Sequence, residues 1–556
     1  MSSSRVLVIG LDGGTFALLN PLIEQGLMPH LEALLGRSSY GTLESTVPPL
    51  TSPAWTSFAT GQNPGKHSIL LFTRPSGGPG PPILASSLHV DRPTIWELAG
   101  ASGKPVVALN VPMTWPAQPV NGIVVTGMMT PPQAAFTYPE DLAERYPALN
   151  DYVIDVNTEG RQHSVNIDDL FIAAPGAYID QIDEMRKHRT GVALEMLRGE
   201  PWQLFTLVYT GLDRLCHMMW QDLHALATGS DEAPVRFADK LAGYVRNLDR
   251  DLGTIFDAVD EHTHIVMMSD HGFGPRAGKR FHLNAWLRQA GLLEVRNEGK
   301  VQSRPGYWLM RLKDGRFSAR IARRLARALP TRLRGRLRKQ VNASQNALID
   351  WEKTRAQTVT MAGSVAGIQL AQDLDDSERE AIMDRLQKEL RAVVDPQTGA
   401  PVVQNVVCRE ELYTGRHVGE FPDLILFADE QYEVIDTLID HGTVAPTILS
   451  AMILSARTGD HRPDGMLVLH GPHIQPGPLE ERWWIPDASA SILYLLGVPL
   501  PEDLDGRVVG EAIEAAYLDR SPVQYAPTGQ RLERRGAVDT DQEAVMARLR
   551  GLGYIE

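Results

Sequence analysis

Two cysteines in 556 residues, Cys216 and Cys408, are too few for a disulfide framework and suit a reducing compartment. No stretch reaches the run of about 18 apolar residues that spans a bilayer. The amino terminus, "MSSSRVLVIGLDGG", lacks the charged start, long apolar stretch and cleavage site of a secretion signal. Together these absences predict a cytoplasmic protein. Positive charge is not in excess either. The formal net charge is −14, which argues against specific nucleic-acid binding by the whole molecule and leaves only local basic patches. The sequence carries neither an internal repeat nor a low-complexity tract.

With 43% hydrophobic and 22% charged residues, the chain reads as globular, long enough for one large domain with insertions or for two. Apolar runs alternate with helical patterns. "RVLVIGLDG" reads as a buried strand, 18–35 and 52–60 as helices, and "PVVALNV" (105–111) as a strand. "QLFTLVYT" (203–210), an amphipathic helix over 235–259 and "HIVMMSDHG" (264–272) continue the alternation. This pattern predicts an α/β fold, a mostly parallel central sheet with helices on both faces and inserted helical or loop cap segments. Ligands of such sheets gather at the carboxyl ends of strands. Asp12, Asp213, Asp270 and His271 fall there.

The expected organisation is a first core part over 1–295, with a loop-rich insertion at 130–170, then a basic helical insertion over 296–357. A second core part follows over 358–515, and 516–556 is a linker with a short helix. Within 311–340, Phe317, Ile321, Leu325 and Leu329 recur every four residues among arginines, up to Pro330. That spacing predicts an amphipathic basic helix. Three uses are open to it: packing on the core with solvated arginines, capping an anionic substrate, or weak contact with an anionic membrane surface.

"PPLTSPAWTSFATG" (48–61) looks like a helix start, with Pro53 in the first turn and Thr51 or Ser52 as the cap. The same place offers backbone N–H groups and the positive end of a helix dipole to a phosphoryl group. Thr51 therefore reads as a cap or as a nucleophile. Four other stretches hold candidate metal ligands: "GLDGG" with Asp12, "YTGLDRLCHMM" with Asp213 and His217, "MSDHGFG" with Asp270 and His271, and "TGDHRPDGMLVLHG" with His461. Spacing of four puts Asp213 and His217 on one helix face. Aspartate mixed with imidazole suits zinc or manganese better than calcium or magnesium. Plain readings remain: Asp12 as a helix cap, Asp213 and His217 as a surface pair. Two ionisable residues directly after a buried strand, Asp270 and His271, ask for a functional reason. His67, His163, His470 and His473 read as structural.

In order, these stretches resemble the alkaline phosphatase superfamily, in its type I phosphodiesterase/nucleotide pyrophosphatase branch. The resemblance is carried by "GLDGG" (10–14), "TSPAWTSFATGQNPGKHSI" (51–69), "LDRLCH" (212–217), "SDHGFG" (269–274) and "GDHRPDG" (459–465). "IPDASASILYLLGVPLPEDLDGRVV" (485–509) resembles the superfamily's closing helix and loop, so the likeness spans roughly residues 5–510 outside the two insertions. It implies two divalent metal ions, zinc first and manganese second. Asp213, His217 and His461 would bind one, and Asp12, Asp270 and His271 the other, with Thr51 bridging as nucleophile. It also implies hydrolysis of a small phosphodiester or nucleotide-like substrate through a phosphothreonine.

The sequence departs from its relatives in places. Sulfatases share the fold but need Cys or Ser followed by x-Pro-x-Arg; Thr51 and Trp55 stand at those positions here. "HSILLF" (67–72) has no Asn or Asp where nucleotide pyrophosphatases carry an asparagine, and Ser68 replaces a usual glycine. Lys279, Arg280, His282 and Asn284 follow "SDHGFG" and are candidate substrate contacts, with a plain helix start at Asn284 as the other reading. The alternatives are a phosphomonoesterase or phosphomutase of the same superfamily, or a non-catalytic protein binding anionic surfaces. Oligomeric state is not legible.

Overall fold

The first apolar run becomes β1 (Arg5–Leu11), and from Val6 onward every residue of it is buried. Successive side chains of a strand point to opposite faces, so such a strand must be covered on both. The computed structural model describes residues 4–74, 82–131, 133–156, 171, 174–229, 235–296, 349–440, 443–444, 447–452 and 457–529, with isolated positions beyond. The chain divides into two compact units. Met1–Pro275, Tyr413–Val418 and Ala456–Glu556 form the first, Arg276–Leu412 and Gly419–Ser455 the second.

In the first unit, β1 lies within a ten-stranded sheet. Its partners in chain order are β2 (Ser39–Glu44), β3 (Val106–Val111), β4 (Gly122–Thr126), β5 (Thr137–Tyr138), β6 (Leu204–Tyr209) and β7 (Thr263–Met268). A two-stranded antiparallel sheet, β8 (Gly272–Pro275) with β9 (Gly459–Arg462), joins segments far apart in the chain, and β10 (Asp464–His470), β11 (Gly477–Pro478) and β12 (Trp483–Trp484) follow it. The order is β11-β2-β10-β7-β1-β6-β3-β4-β5, and β12 also pairs with β2. From β7 to β4 the strands are parallel, as the pattern predicts. The sheet as a whole is mixed: β10 runs antiparallel to β2 and β7, and β5 to β4. Antiparallel pairing of β9 with β8 returns the chain beside its own exit point, so β10 enters the sheet from the carboxyl end of β7.

Val6 and Val8 share a core with Trp55 and Phe58 of α1 (Thr51–Thr60). Leu7 and Ile9 point the other way and are equally buried. Three long helices pack together in this unit: α2 (Pro175–Gly199), α3 (Gly211–Thr228) and α4 (Ala238–Phe256). Ile485–Leu495, here α5, packs on α1. The single helix expected over 18–35 is two, Phe16–Glu24 and Pro29–Leu35. Gly26 at φ +68° and Pro29 at the second start account for the break.

The second unit holds a four-stranded antiparallel sheet, in the order Ala356–Ala362, Val365–Leu370, Leu424–Ala428, Val403–Cys408. Helix Asp376–Arg391 buries Leu386 and Leu390 in the same core as Ile368 and Leu426. Lys279–His282 is the middle of three short strands, between Tyr432–Ile435 and Leu449–Ala451. The predicted basic helix at 311–340, residues 157–170 of the loop-rich insertion and most of the terminal helix lie outside the described residues. Among the described residues, no helix is long and apolar enough to cross a membrane.

Candidate active site

The first unit gathers polar residues at the carboxyl edge of its sheet. Asp12 directly follows β1, Asp213 sits in the first turn of α3 after β6, and Asp270 and His271 join β7 to β8. His461 lies on β9, which the antiparallel entry of β10 brings to the same edge. These five residues, His217 and Thr51 are all buried. Asp213 Oδ1 is 3.5 Å from His217 Nε2, 3.3 Å from His461 Nε2 and 3.9 Å from His271 Nε2. His271 Nε2 is in turn 3.8 Å from Asp12 Oδ1 and 3.2 Å from Asp270 Oδ2. Two compact donor groups result, Asp213 with His217 and His461, and Asp12 with Asp213 and His271. Asp213 contributes to both.

Each carboxylate is held by one oxygen. Asp12 Oδ2 accepts from the Trp55 indole N–H at 3.3 Å, and Asp270 Oδ1 from the Gly13 amide at 3.2 Å. Asp213 Oδ2 accepts from the Arg214 guanidinium, which also grips Asp155 at 3.0 and 2.7 Å. Two of the imidazoles are oriented in the same manner. His271 Nδ1 lies 3.1 Å from the Gly272 carbonyl and His461 Nδ1 2.9 Å from the Pro49 carbonyl. Carbonyls only accept, so these Nδ1 atoms carry the protons and the Nε2 lone pairs face the cluster. The rings of His271 and His461 stack at 3.6 Å, while Phe273 meets His217 and His461 edge-on at 4.8 and 5.1 Å.

The electrostatics are those of a site built for cations. Burial, then the charges of Asp270 and Asp213, raise the Asp12 carboxyl well above its usual range. Burial and Asp213 push Asp270 up to about 7. Burial works upward on Asp213 too, but His217, Arg214 and His461 outweigh it and hold that carboxyl well below the ordinary value. Burial keeps His217 and His271 neutral. Asp12 Oδ1, Asp270 Oδ2, His271 Nε2, Thr51 Oγ1 and Ser52 Oγ are buried and have no hydrogen-bond partner among the described residues. Leaving a buried polar atom unmet costs about 1–3 kcal/mol. Oxygen and imidazole donors converging in this way fit a divalent metal, which would satisfy them.

Thr51 and Ser52 are not helix caps. α1 starts at Thr51 itself, Leu50 is its N-cap, and no side chain caps it. The extended backbone of Leu50 already turns the chain into the helix, which frees both hydroxyls from that duty. The chain is anchored to the cluster on both sides of Thr51, through the Pro49 carbonyl on His461 and the Trp55 indole on Asp12.

Lys279, Arg280, His282 and Asn284 belong to the second unit and have partners within it. Lys279 binds Asp395, Arg280 binds Glu433, His282 Nε2 meets Ser450 Oγ at 2.8 Å, and Asn284 bonds the Asp436 carbonyl and the Thr358 amide. Several residues that shape the site are invisible to sequence reasoning. Trp55, Arg214, Asp155 and Phe273 are among them, as is Arg457, whose guanidinium lies 2.6 Å from His217 Nδ1. For Arg214 one signal could have served, a charge between the candidate ligands Asp213 and His217 on an otherwise apolar turn.

The carboxyl edge of a mixed α/β sheet thus gathers carboxylates and imidazoles that could hold metal ions, as a metal-dependent hydrolase requires. A sequence profile described as type I phosphodiesterase / nucleotide pyrophosphatase matches residues 6–447, and the chain belongs to that family of phosphoric ester hydrolases. No curated protein matches the sequence. Among solved structures, the chain is similar to phosphonoacetate hydrolase from Sinorhizobium meliloti 1021, solved with phosphonoformate. That likeness has 15% identity over 89% of this chain and 96% of the other, with a TM-score of 0.49. Murine ectonucleotide pyrophosphatase / phosphodiesterase 5, solved as an inactive variant with AMP, is similar at 13% identity over 92% of this chain and all of its own, TM-score 0.46. Its human counterpart is similar at 12% identity, 92% coverage and a TM-score of 0.46.

Proposed function

We propose that the protein is a phosphodiesterase working through a phosphothreonine at a site for two divalent metals, with Thr51 as nucleophile. One observation carries the reading. Among the described residues, buried atoms of Asp12, Asp270 and His271 in one cluster have no hydrogen-bond partner, and neither has the buried Thr51 hydroxyl, whose helix is tied to Asp12 through Trp55. Asp213, His217 and His461 would hold one ion; Asp12, Asp270 and His271, with Thr51, the other. The mixed donor set favours zinc, then manganese. Bound cations would stabilise an alkoxide and the charge on the transferring phosphoryl group.

The chain's own residues account for the rest. Thr51 Oγ1 attacks phosphorus as the bond to the leaving alcohol breaks, the hydroxyl proton ending on that alcohol. This leaves Thr51 joined to phosphorus as a diester that keeps the second substituent. Attack by water then breaks the Thr51–phosphorus bond, releasing the phosphomonoester and restoring the hydroxyl. N–H groups of the first turn of α1 donate to non-bridging oxygens. The reading rests on the first unit alone, since the polar groups of Lys279, Arg280, His282 and Asn284 are engaged in the second. Cytoplasmic residence accords with two cysteines that form no disulfide.

The test compares bis-p-nitrophenyl phosphate with p-nitrophenyl phosphate on zinc-loaded protein. Faster turnover of the diester is expected, and no turnover of either ester overturns the proposal. Thr51→Ala should keep its metal and its melting temperature yet lose at least about a thousandfold in kcat. Undiminished activity would move the nucleophile elsewhere.

A further inference from the structure

Trp55 lies one helical turn beyond Thr51 on α1, on the same face by the four-residue spacing. Its side chain is wholly buried, yet it does more than fill the core. The indole N–H donates to Asp12 Oδ2 at 3.3 Å, and this leaves Asp12 Oδ1 as the oxygen turned toward His271 Nε2, 3.8 Å away. Space for the ring is made in β1. A Cβ on Gly10 would lie 2.3 Å from Trp55 Cη2, so only glycine lets the indole cross the strand two residues before Asp12. Phe58 closes the other side edge-on at 5.6 Å and 87°.

We infer that Trp55 is a positioning residue, whose indole N–H orients the Asp12 carboxylate and sets it in register with the Thr51 hydroxyl on the same rigid helix. No other described side chain bonds Asp12 Oδ2. A carboxylate held by one oxygen presents the other in a single direction, and such outer partners typically support metal affinity or activity by about 10–100-fold. Because the same helix carries the nucleophile, loosening Asp12 also loosens the alignment of the attacking oxygen. That loss falls on kcat, since substrate binding is untouched.

This inference rests on the proposed metal site, and its test separates the two. Trp55→Phe keeps an aromatic ring in the core and removes the indole N–H. Trp202→Phe is the control, because Trp202 is also buried and donates its indole N–H, at 3.1 Å to the Leu197 carbonyl, away from the site. Zinc affinity is measured by chelator competition on the full chain. Trp55→Phe should lower it, and kcat, by about 10–100-fold with KM within about threefold, while Trp202→Phe matches wild type. In 15N-labelled wild type, the indole N–H resonance absent from Trp55→Phe should shift when zinc is added. Gly10→Ala, which displaces the ring without changing Trp55, should reproduce the loss. Wild-type zinc affinity and kcat in Trp55→Phe, or a Trp55 resonance unmoved by zinc, would overturn the positioning role and leave the metal site standing. Wild-type protein that binds no zinc would overturn both.

Discussion

Two buried aspartates of the second unit and two of the first meet opposite fates. In the second, Asp423 accepts from Arg379 at 2.6 Å, from the Leu370 amide at 2.8 Å and from Gln369 at 2.8 Å. Asp395 is likewise filled by Lys279, Tyr432 and the Gln397 amide, and the Lys279 bond, with Tyr432, holds its carboxyl well below the usual range. In the first unit, Asp12 and Asp270 each keep one buried oxygen without a hydrogen-bond partner among the described residues, and both carboxyls are raised. Saturation marks a carboxylate that supports the fold. An open, strained oxygen marks one kept for a ligand, because the fold gains nothing from leaving it unmet.

One substitution made in both units should therefore act with opposite signs. Asp270→Asn removes a charge that repels Asp213 and Asp12, so the EDTA-treated protein should gain about 1–3 kcal/mol by denaturant titration. The same variant should lose at least about 100-fold in zinc affinity and turnover. Asp423→Asn sets an amide N–H against donors and removes the charge-assisted bond from Arg379, so it should cost about 2–3 kcal/mol and leave zinc binding alone. Destabilisation of metal-free protein by Asp270→Asn would erase the contrast.

The contrast sharpens further within the first unit, where a saturated group lies close in sequence to the candidate nucleophile. His67 accepts from the Ile69 amide at Nδ1, 3.2 Å, so Nε2 carries the proton and donates to Ser57 Oγ at 2.9 Å. Burial lowers its pKa to about 3. The unfolded chain protonates this histidine below about 6.5, while the fold resists until pH falls to about 3. Between those values the unfolded state binds more protons, so stability falls on acidification by up to roughly 1.4 kcal/mol per pH unit. His67→Gln should flatten that slope between pH 6 and 4, as read by urea midpoints. An unchanged slope would show that other groups carry the acid sensitivity.

How much of this was legible beforehand follows from the reach of each signal. β1, β3, β6 and β7 announce themselves as apolar runs, and the candidate ligand residues as acids and histidines near strand ends, whereas β2, β4 and β5 were not legible as such runs. Asp213 and His217 were placed on one face by spacing alone, as found. Direction is another matter. Period-two burial is the same for a parallel and an antiparallel strand, so β10 was not distinguishable from its neighbours. Outer partners were also hidden, since Trp55 meets Asp12 across 43 positions and Arg214 meets Asp155 across 59. The capping expectation failed because a cap needs only the right backbone entry, which Leu50 supplies without a side-chain bond. Strand and helix patterns after 358 did not tell which of two sheets they join, because each sheet is completed by segments far apart in the chain.

Ser68 tests the same logic where the stakes are smallest. It follows the helix Pro64–His67 at φ 74°, a left-handed position where a side chain costs about 1–2 kcal/mol that glycine avoids. Its hydroxyl donates to the His89 carbonyl at 2.7 Å, a bond worth about 0.5–1.5 kcal/mol. Ser68→Gly gives up that bond and adds freedom to the unfolded chain, about 0.4–1 kcal/mol, but removes the backbone strain. The gains and losses nearly cancel, so the variant should lie within about 1 kcal/mol of wild type. Ser68→Ala loses the bond and keeps the strain, and should be the less stable of the two by thermal unfolding. The reverse ranking would mean that the left-handed backbone at Ser68 carries no strain for a side chain to feel.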